Sequence, residues 1–128
     1  MGSYAADQLL KELKKSYNKK KYKVLIMGYT FKENCNDIRN TRVIDIVKKL
    51  KLKKCTVDIY DPFVDMKSRK FNFIKYPSNN MYDAILIAVG HKVFREMGIK
   101  KIKKFGKKKN LIYDIKNIFP SDEVDLNF

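Results

Sequence analysis

The chain has 128 residues, 45% of them hydrophobic, which describes one domain able to bury a core without disulfides or metal. Cys35, Cys55 and the lone His91 stand far apart, and the longest apolar run, Ala84 to Val89, is too short for a bilayer; a zinc or disulfide framework and a membrane span are therefore excluded, and a reducing, cytoplasmic location is expected. The formal charge of +15 is almost all lysine, scattered over helix exteriors and loops with arginine only at positions 39, 42, 69 and 95, so a sequence-reading nucleic-acid module is not expected and non-specific attraction to polyanions is.

Residues 1–17 read as a helix, with Tyr4, Leu9, Leu10, Leu13 and Tyr17 near helical spacing and Ser3 as a candidate N-cap. Residues 18–22 read as a linker, and 23–128 as the domain proper. Lys23 to Met27 has the length and composition of a strand and ends at Gly28. A polar loop follows, and apolar residues then recur at helical spacing from Thr41 to Leu50. Cys55 to Tyr60 alternates like a second strand and stops at Asp61-Pro62, because proline cannot continue a central strand. A short helix is expected over Val64 to Lys70 and a short third strand over Phe71 to Tyr76. Tyr82 to Val89 gives a buried fourth strand ending at Gly90. Lys92 to Met97 and Ile99 to Phe105 form a helix broken at Gly98, or two short ones. Asn110 to Ile115 is the fifth strand, and an acidic tail closes the chain.

Strands that are near-continuous apolar runs, interleaved with helices, mean a parallel sheet covered on both faces. Right-handed crossovers then lead to a Rossmann-like, doubly wound α/β fold of five strands in the order 3-2-1-4-5. Its ligand should lie at the carboxyl edge, between the 28–40 loop and the turn after Gly90.

The dinucleotide fingerprint requires three glycines, so that backbone can approach a pyrophosphate. Here Gly28 stands alone, and Tyr29 and Phe31 fill the approach, so NAD is not expected to be held by this sheet in the usual way. The loop offers side chains instead: Lys32 and Arg39 for charge, Thr30, Asn34 and Asn40 for hydrogen bonds. A helix N-terminus behind them favours an anion. The same residues also allow a purely structural loop, with Asp37 capping the helix or pairing with Arg39 or Arg42.

Residues 28–41, GYTFKENCNDIRNT, resemble the signature that opens the C-terminal, UDP-binding domain of the UDP-glucose/GDP-mannose dehydrogenase family. Tyr60-Asp61-Pro62, then residues 88–94, AVGHKVF, then 113–117, YDIKN, are similar to further family motifs in the family's order. Residues 1–5 resemble the family's stretch late in the helix that joins its middle domain to this one. The form of the 31–40 segment is similar to the branch that oxidises UDP-N-acetylhexosamines to uronic acids, with Asn36 where that branch carries proline.

The resemblance implies that Phe31 and Lys32 contact the UDP-sugar, and that Lys116, where the family commonly has arginine, helps grip it. It implies that Arg39 touches NAD bound mainly by an N-terminal domain. The family's catalytic cysteine belongs to a middle-domain motif that this sequence lacks, so no catalytic residue is assigned here. Cys35 has no evident base near it in sequence and reads as loop packing, and Cys55 as core. His91 is expected to cap or to hydrogen-bond. Asp61 is expected to form the turn before Pro62 rather than to hold a ribose. The expected whole is the nucleotide-sugar-binding third of an NAD-dependent UDP-sugar 6-dehydrogenase, itself a homo-oligomer, with the remaining domains of that enzyme and a UDP-sugar as partners. The alternative is a free-standing basic nucleotide- or nucleic-acid-binding module.

Overall fold

The computed structural model describes residues 2–16, 21–30, 41–64 and 71–127. Its elements in order are α1 (Gly2–Ser16), β1 (Lys23–Met27), α2 (Thr41–Leu52), β2 (Thr56–Tyr60), β3 (Tyr82–Ile87), α3 (Lys92–Met97), α4 (Ile99–Phe105), β4 (Gly106–Asp114), a 3-10 turn (Ser121–Glu123) and β5 (Leu126–Asn127). The five strands form one parallel sheet in the order β2-β1-β3-β4-β5.

Alternation along the strands divides the core between the two faces of the sheet. Val24, Ile26, Val57, Ile59, Ala84 and Leu86 pack on one side with α1 and α2, through Leu9, Leu13, Val43, Ile46, Val47 and Leu50. Leu25, Met27, Ile85, Ile87 and Ile112 face the other side, against Phe94, Ile102 and Phe105 of α3 and α4. Every residue of β3 is buried, as expected of a strand covered on both faces. Helix α1 shares its core with α2, so its stripe Ala6, Leu9, Leu13 is enclosed. The surface ion pair of Asp7 with Lys49, at 3.6 Å, adds little to that burial.

With Phe71–Tyr76 counted as the third strand, the expected order is the observed one. That segment contributes a single parallel bridge, Ile59 to Phe73, held by two hydrogen bonds of 2.9 Å from Ile59 N to Asn72 O and from Ile74 N to Ile59 O. The helix expected from residue 64 falls mostly on 65–70, outside the described residues. The fifth expected strand is β4, which begins earlier, at Gly106. Between Gly106, opposite Tyr82, and Leu111, opposite Ala84, four residues of β4 stand against one of β3. The excess carries Lys107, Lys108 and Lys109, which a buried ladder cannot house, and the Asn110 side chain closes the bulge with a 2.7 Å bond to Lys107 O. The acidic tail adds β5 at the far edge. Asp125 holds it there, its N–H donating to Ile112 O at 3.0 Å and its Oδ2 accepting Ile112 N–H at 2.8 Å.

Candidate functional site at the carboxyl edge

All strands are parallel, so the segments leaving β1, β2, β3 and β4 emerge on one edge. Gly28 leaves β1 with φ of +105°, and a Cβ there would stand 2.6 Å from Val89 Cβ and 2.7 Å from Val89 N. Only glycine permits both that dihedral and that approach. Its N–H donates to Tyr60 O at 2.9 Å, while Met27 O accepts Ala88 N–H at 2.9 Å. The three chain segments are thus drawn together above the centre of the sheet.

Asp61, the first residue past β2, sits among them. Its Oδ2 accepts the backbone N–H of Tyr29 at 2.7 Å, that of Thr30 at 3.0 Å and His91 Nε2 at 2.9 Å. Its Oδ1 accepts Phe63 N–H at 2.9 Å. A carboxylate has only lone pairs to offer, which assigns the proton to Nε2 and makes the imidazole the donor. The same nitrogen lies 3.0 Å from Thr30 Oγ1. Thr30, Asp61 and His91 are all buried. Burial pushes the Asp61 carboxyl up, but the bonds from His91, Tyr29 and Phe63 outweigh it and hold the group below its usual value. His91 packs between Phe63, at 4.7 Å between ring centroids, and Phe94, at 5.2 Å.

Asp61 does form the expected turn, with Val64 N donating to its carbonyl at 3.1 Å, and its side chain does much more. His91 occupies the N-cap position of α3 without a side-chain cap bond; its ring serves Asp61 instead. Each has its own signal in the sequence, since each follows a strand end in a parallel sheet. Their pairing across 30 residues has no local signal.

Lys116 is exposed just past β4 on the same edge. Its turn is built by Asn117, at φ +53°, whose N–H reaches Asp114 O at 3.4 Å. Asp114 is itself buried, with Oδ2 accepting Phe119 N–H at 2.9 Å and Oδ1 without a hydrogen-bond partner. Phe31, Lys32 and Arg39 lie outside the described residues, as do Asn34, Cys35, Asn36, Asp37 and Asn40. Cys55 is buried at the start of β2, and burial pushes its thiol up, the behaviour of a core cysteine. Among the described residues no group of three or more His, Cys, Asp and Glu side chains could hold a metal ion, and no helix is long and apolar enough to cross a membrane.

Tyr29 stands just past the one glycine of the β1 turn, and Asp61 is engaged by protein donors, with three bonds to Oδ2 and one to Oδ1.

The model of the UDP-glucose/GDP-mannose dehydrogenase family, UDP binding domain, matches residues 25–121. The chain is 47% identical, over 98% of its length, to a UDP-N-acetyl-D-glucosamine 6-dehydrogenase of Salmonella typhi, and 40% identical over the same share to one of Pseudomonas aeruginosa. It spans 31% of the length of each. Among solved structures, the UDP-N-acetyl-mannosamine dehydrogenase of Staphylococcus aureus superposes with a TM-score of 0.73 at 26% identity, over 98% of this chain and 30% of that one. The family match covers the strand ends that build the carboxyl edge, and the chain belongs to the UDP-glucose/GDP-mannose dehydrogenase family.

Proposed function

We propose that the chain is the nucleotide-sugar-binding part of an NAD-dependent UDP-sugar 6-dehydrogenase, one that oxidises a UDP-hexose or UDP-N-acetylhexosamine to its uronic acid. The observation that carries this reading is the match of the family's UDP binding domain to residues 25–121, which include the whole carboxyl edge. The names of the relatives favour an N-acetylhexosamine as the sugar. In this reading residues 1–17 are the end of an inter-domain helix, 18–22 a linker and 23–128 the binding domain, working in the cytoplasm as part of a homo-oligomer. Phe31, Lys32 and Lys116 contact the UDP-sugar, and Arg39 reaches NAD held mainly by another domain. The lone Gly28 of the β1 turn, with Tyr29 beside it and Asp61 engaged by protein donors, supports that division of labour, and no chemical step is assigned to the described residues.

Two-dimensional NMR titration with UDP tests the reading. Shifts should cluster at residues 28–40 and around Lys116. A lysine meeting a phosphate contributes roughly 1.5–3 kcal/mol, so Lys32→Ala should weaken binding about ten- to a hundredfold. Lys116→Ala should cost less, because a flexible exposed lysine is not preorganised. Small uniform shifts over the lysine-rich faces, unchanged in Lys32→Ala, would show attraction to a polyanion and no nucleotide site.

A further inference from the structure

The parallel strands all begin on one edge of the sheet, and α2 and α4 end there, just before β2 and β4. This amino edge gathers lysines that stand far apart in the chain. Lys53 and Lys54 precede β2, Lys108 and Lys109 leave the β4 bulge, and Lys14 and Lys15 close α1; all six are exposed. Residues 46–57 and 97–113 contain no acid. Asp83 is buried at the edge and is engaged by Lys23 N–H at 2.8 Å and by Lys107 Nζ at 3.4 Å.

Two features at the end of α2 go beyond a solvated lysine surface. The helix closes in a Schellman turn, with Cys55 N–H donating to Leu50 O and Lys54 N–H to Lys51 O, both at 3.0 Å. The left-handed residue of that motif is usually glycine, and here it is Lys54, at φ +65°. Leu52, in the same turn, is 78% exposed, more than any other large hydrophobic side chain among the described residues. Solubility alone would favour glycine and a polar residue at these two positions. The chain instead holds an apolar tooth between Lys51 and Lys53 on a hydrogen-bonded turn.

From this arrangement we propose that the amino edge docks on an anionic phospholipid bilayer, with Leu52 entering the headgroup layer and the lysines around it meeting lipid phosphates. The charge sets the sign of the partner, and Leu52 sets its kind, because a nucleic-acid backbone offers no apolar layer to an exposed leucine. Lysine suits such a surface, since its stem can lie along apolar groups while the ammonium stays among the headgroups. Neither 46–57 nor 97–113 supplies an arginine fork for reading bases. The contact is peripheral, and the carboxyl edge with Gly28 and Lys116 faces away from the bilayer.

Flotation of the full chain with vesicles tests this, using phosphatidylcholine alone and phosphatidylcholine mixed with phosphatidylglycerol at physiological salt. The parent chain should float only with the mixed vesicles. A lysine at an anionic surface contributes about fivefold in partitioning, so Lys54→Gly should lose about that much. Its melting temperature should hold or rise, because glycine adopts the dihedral freely. Leu52→Ser should lose about three- to tenfold on vesicles and leave attraction to a labelled RNA duplex unchanged. Lys92→Glu, a larger change of charge at the start of α3 on the opposite edge, should alter flotation by less than about twofold. Equal losses in Lys92→Glu and Lys54→Gly would assign the attraction to net charge and overturn the docking face. Unchanged flotation of Leu52→Ser, or an RNA duplex bound as tightly as the mixed vesicles at the same salt, overturns the bilayer as its occupant. Absence of the parent chain from the floating mixed vesicles overturns the proposal outright.

Discussion

Asp58 and Asp61 lie on the same stretch of chain, both buried, and yet they recruit different kinds of partner. Asp58 is inside β2 and is held by side chains, Asn72 Nδ2 at 2.5 Å and Tyr82 OH at 2.7 Å. Asp61 is past the end of β2 and is held mostly by backbone N–H groups. Around Asp58 the amides of β2 and β1 serve the ladder, and its carboxylate is met by side chains. At the carboxyl edge the ladder stops, and the amides of the departing segments are left for whatever acceptor is near. One acid therefore braces strands, and the other sets loops. Burial and the bond to Asp58 push the Tyr82 phenol well above its usual range, as expected of a donor committed to a carboxylate.

The largest expected effect comes from breaking the edge itself. In Gly28→Ala the methyl group must occupy space held by Val89 at a dihedral that disfavours any side chain. Overpacking and backbone strain together should cost roughly 2–6 kcal/mol, readable in a denaturant titration. Tyr82→Phe is the counterpart on the strand side. It leaves Asp58 Oδ2 buried without its phenol donor and should cost about 1–3 kcal/mol, with UDP affinity unchanged. Loss of UDP binding in folded Tyr82→Phe would erase the contrast between the two acids. The smallest effect is expected from Lys107→Ala. This lysine lies 3.4 Å from buried Asp83 but is itself partly exposed, and Asp83 Oδ2 also accepts Lys23 N–H at 2.8 Å. A loss of at most about 1 kcal/mol, shrinking as salt is added, is the scale for such a pair.

Much of this arrangement is legible in the sequence, and the reasons are local. Apolar runs mark β1, β2 and β3, and Gly28, Asp61-Pro62 and Gly90 mark where they end. Parallel topology then places those ends together. What escaped is non-local or too short to carry a pattern. Leu126–Asn127 is a two-residue strand inside an acidic tail, recruited by Asp125 and not by its own periodicity. The bulge at Lys107 to Lys109 follows from matching β4 to β3, which neither strand reveals alone. Asp61 and His91 each read as a turn or cap residue, and only the fold shows that one carboxylate gathers the segments after β1, β2 and β3. The charge of Lys32 and Arg39 is legible in the loop itself, whereas Phe31 and the role of each residue rest on motif resemblance, and the described residues stop before them at Thr30.

The central place of β1 has a consequence for how the molecule is made. Both neighbours of β1 come later in the chain: β2 at Thr56–Tyr60 and β3 at Tyr82–Ile87. During synthesis from the amino end, β1 is therefore the first strand of the sheet to exist, and its second edge waits for β3. Until residue 87 has been added, Lys23–Met27 keeps an apolar, hydrogen-bond-hungry edge open. Helix α1 precedes it and can shield one face early, packing on α2 as soon as that helix forms. The opposite face waits for α3 and α4. Assembly should accordingly be slow for a chain of this size, as parallel pairings across long separations are, and the nascent intermediate most exposed to aggregation is the one that ends between β2 and β3.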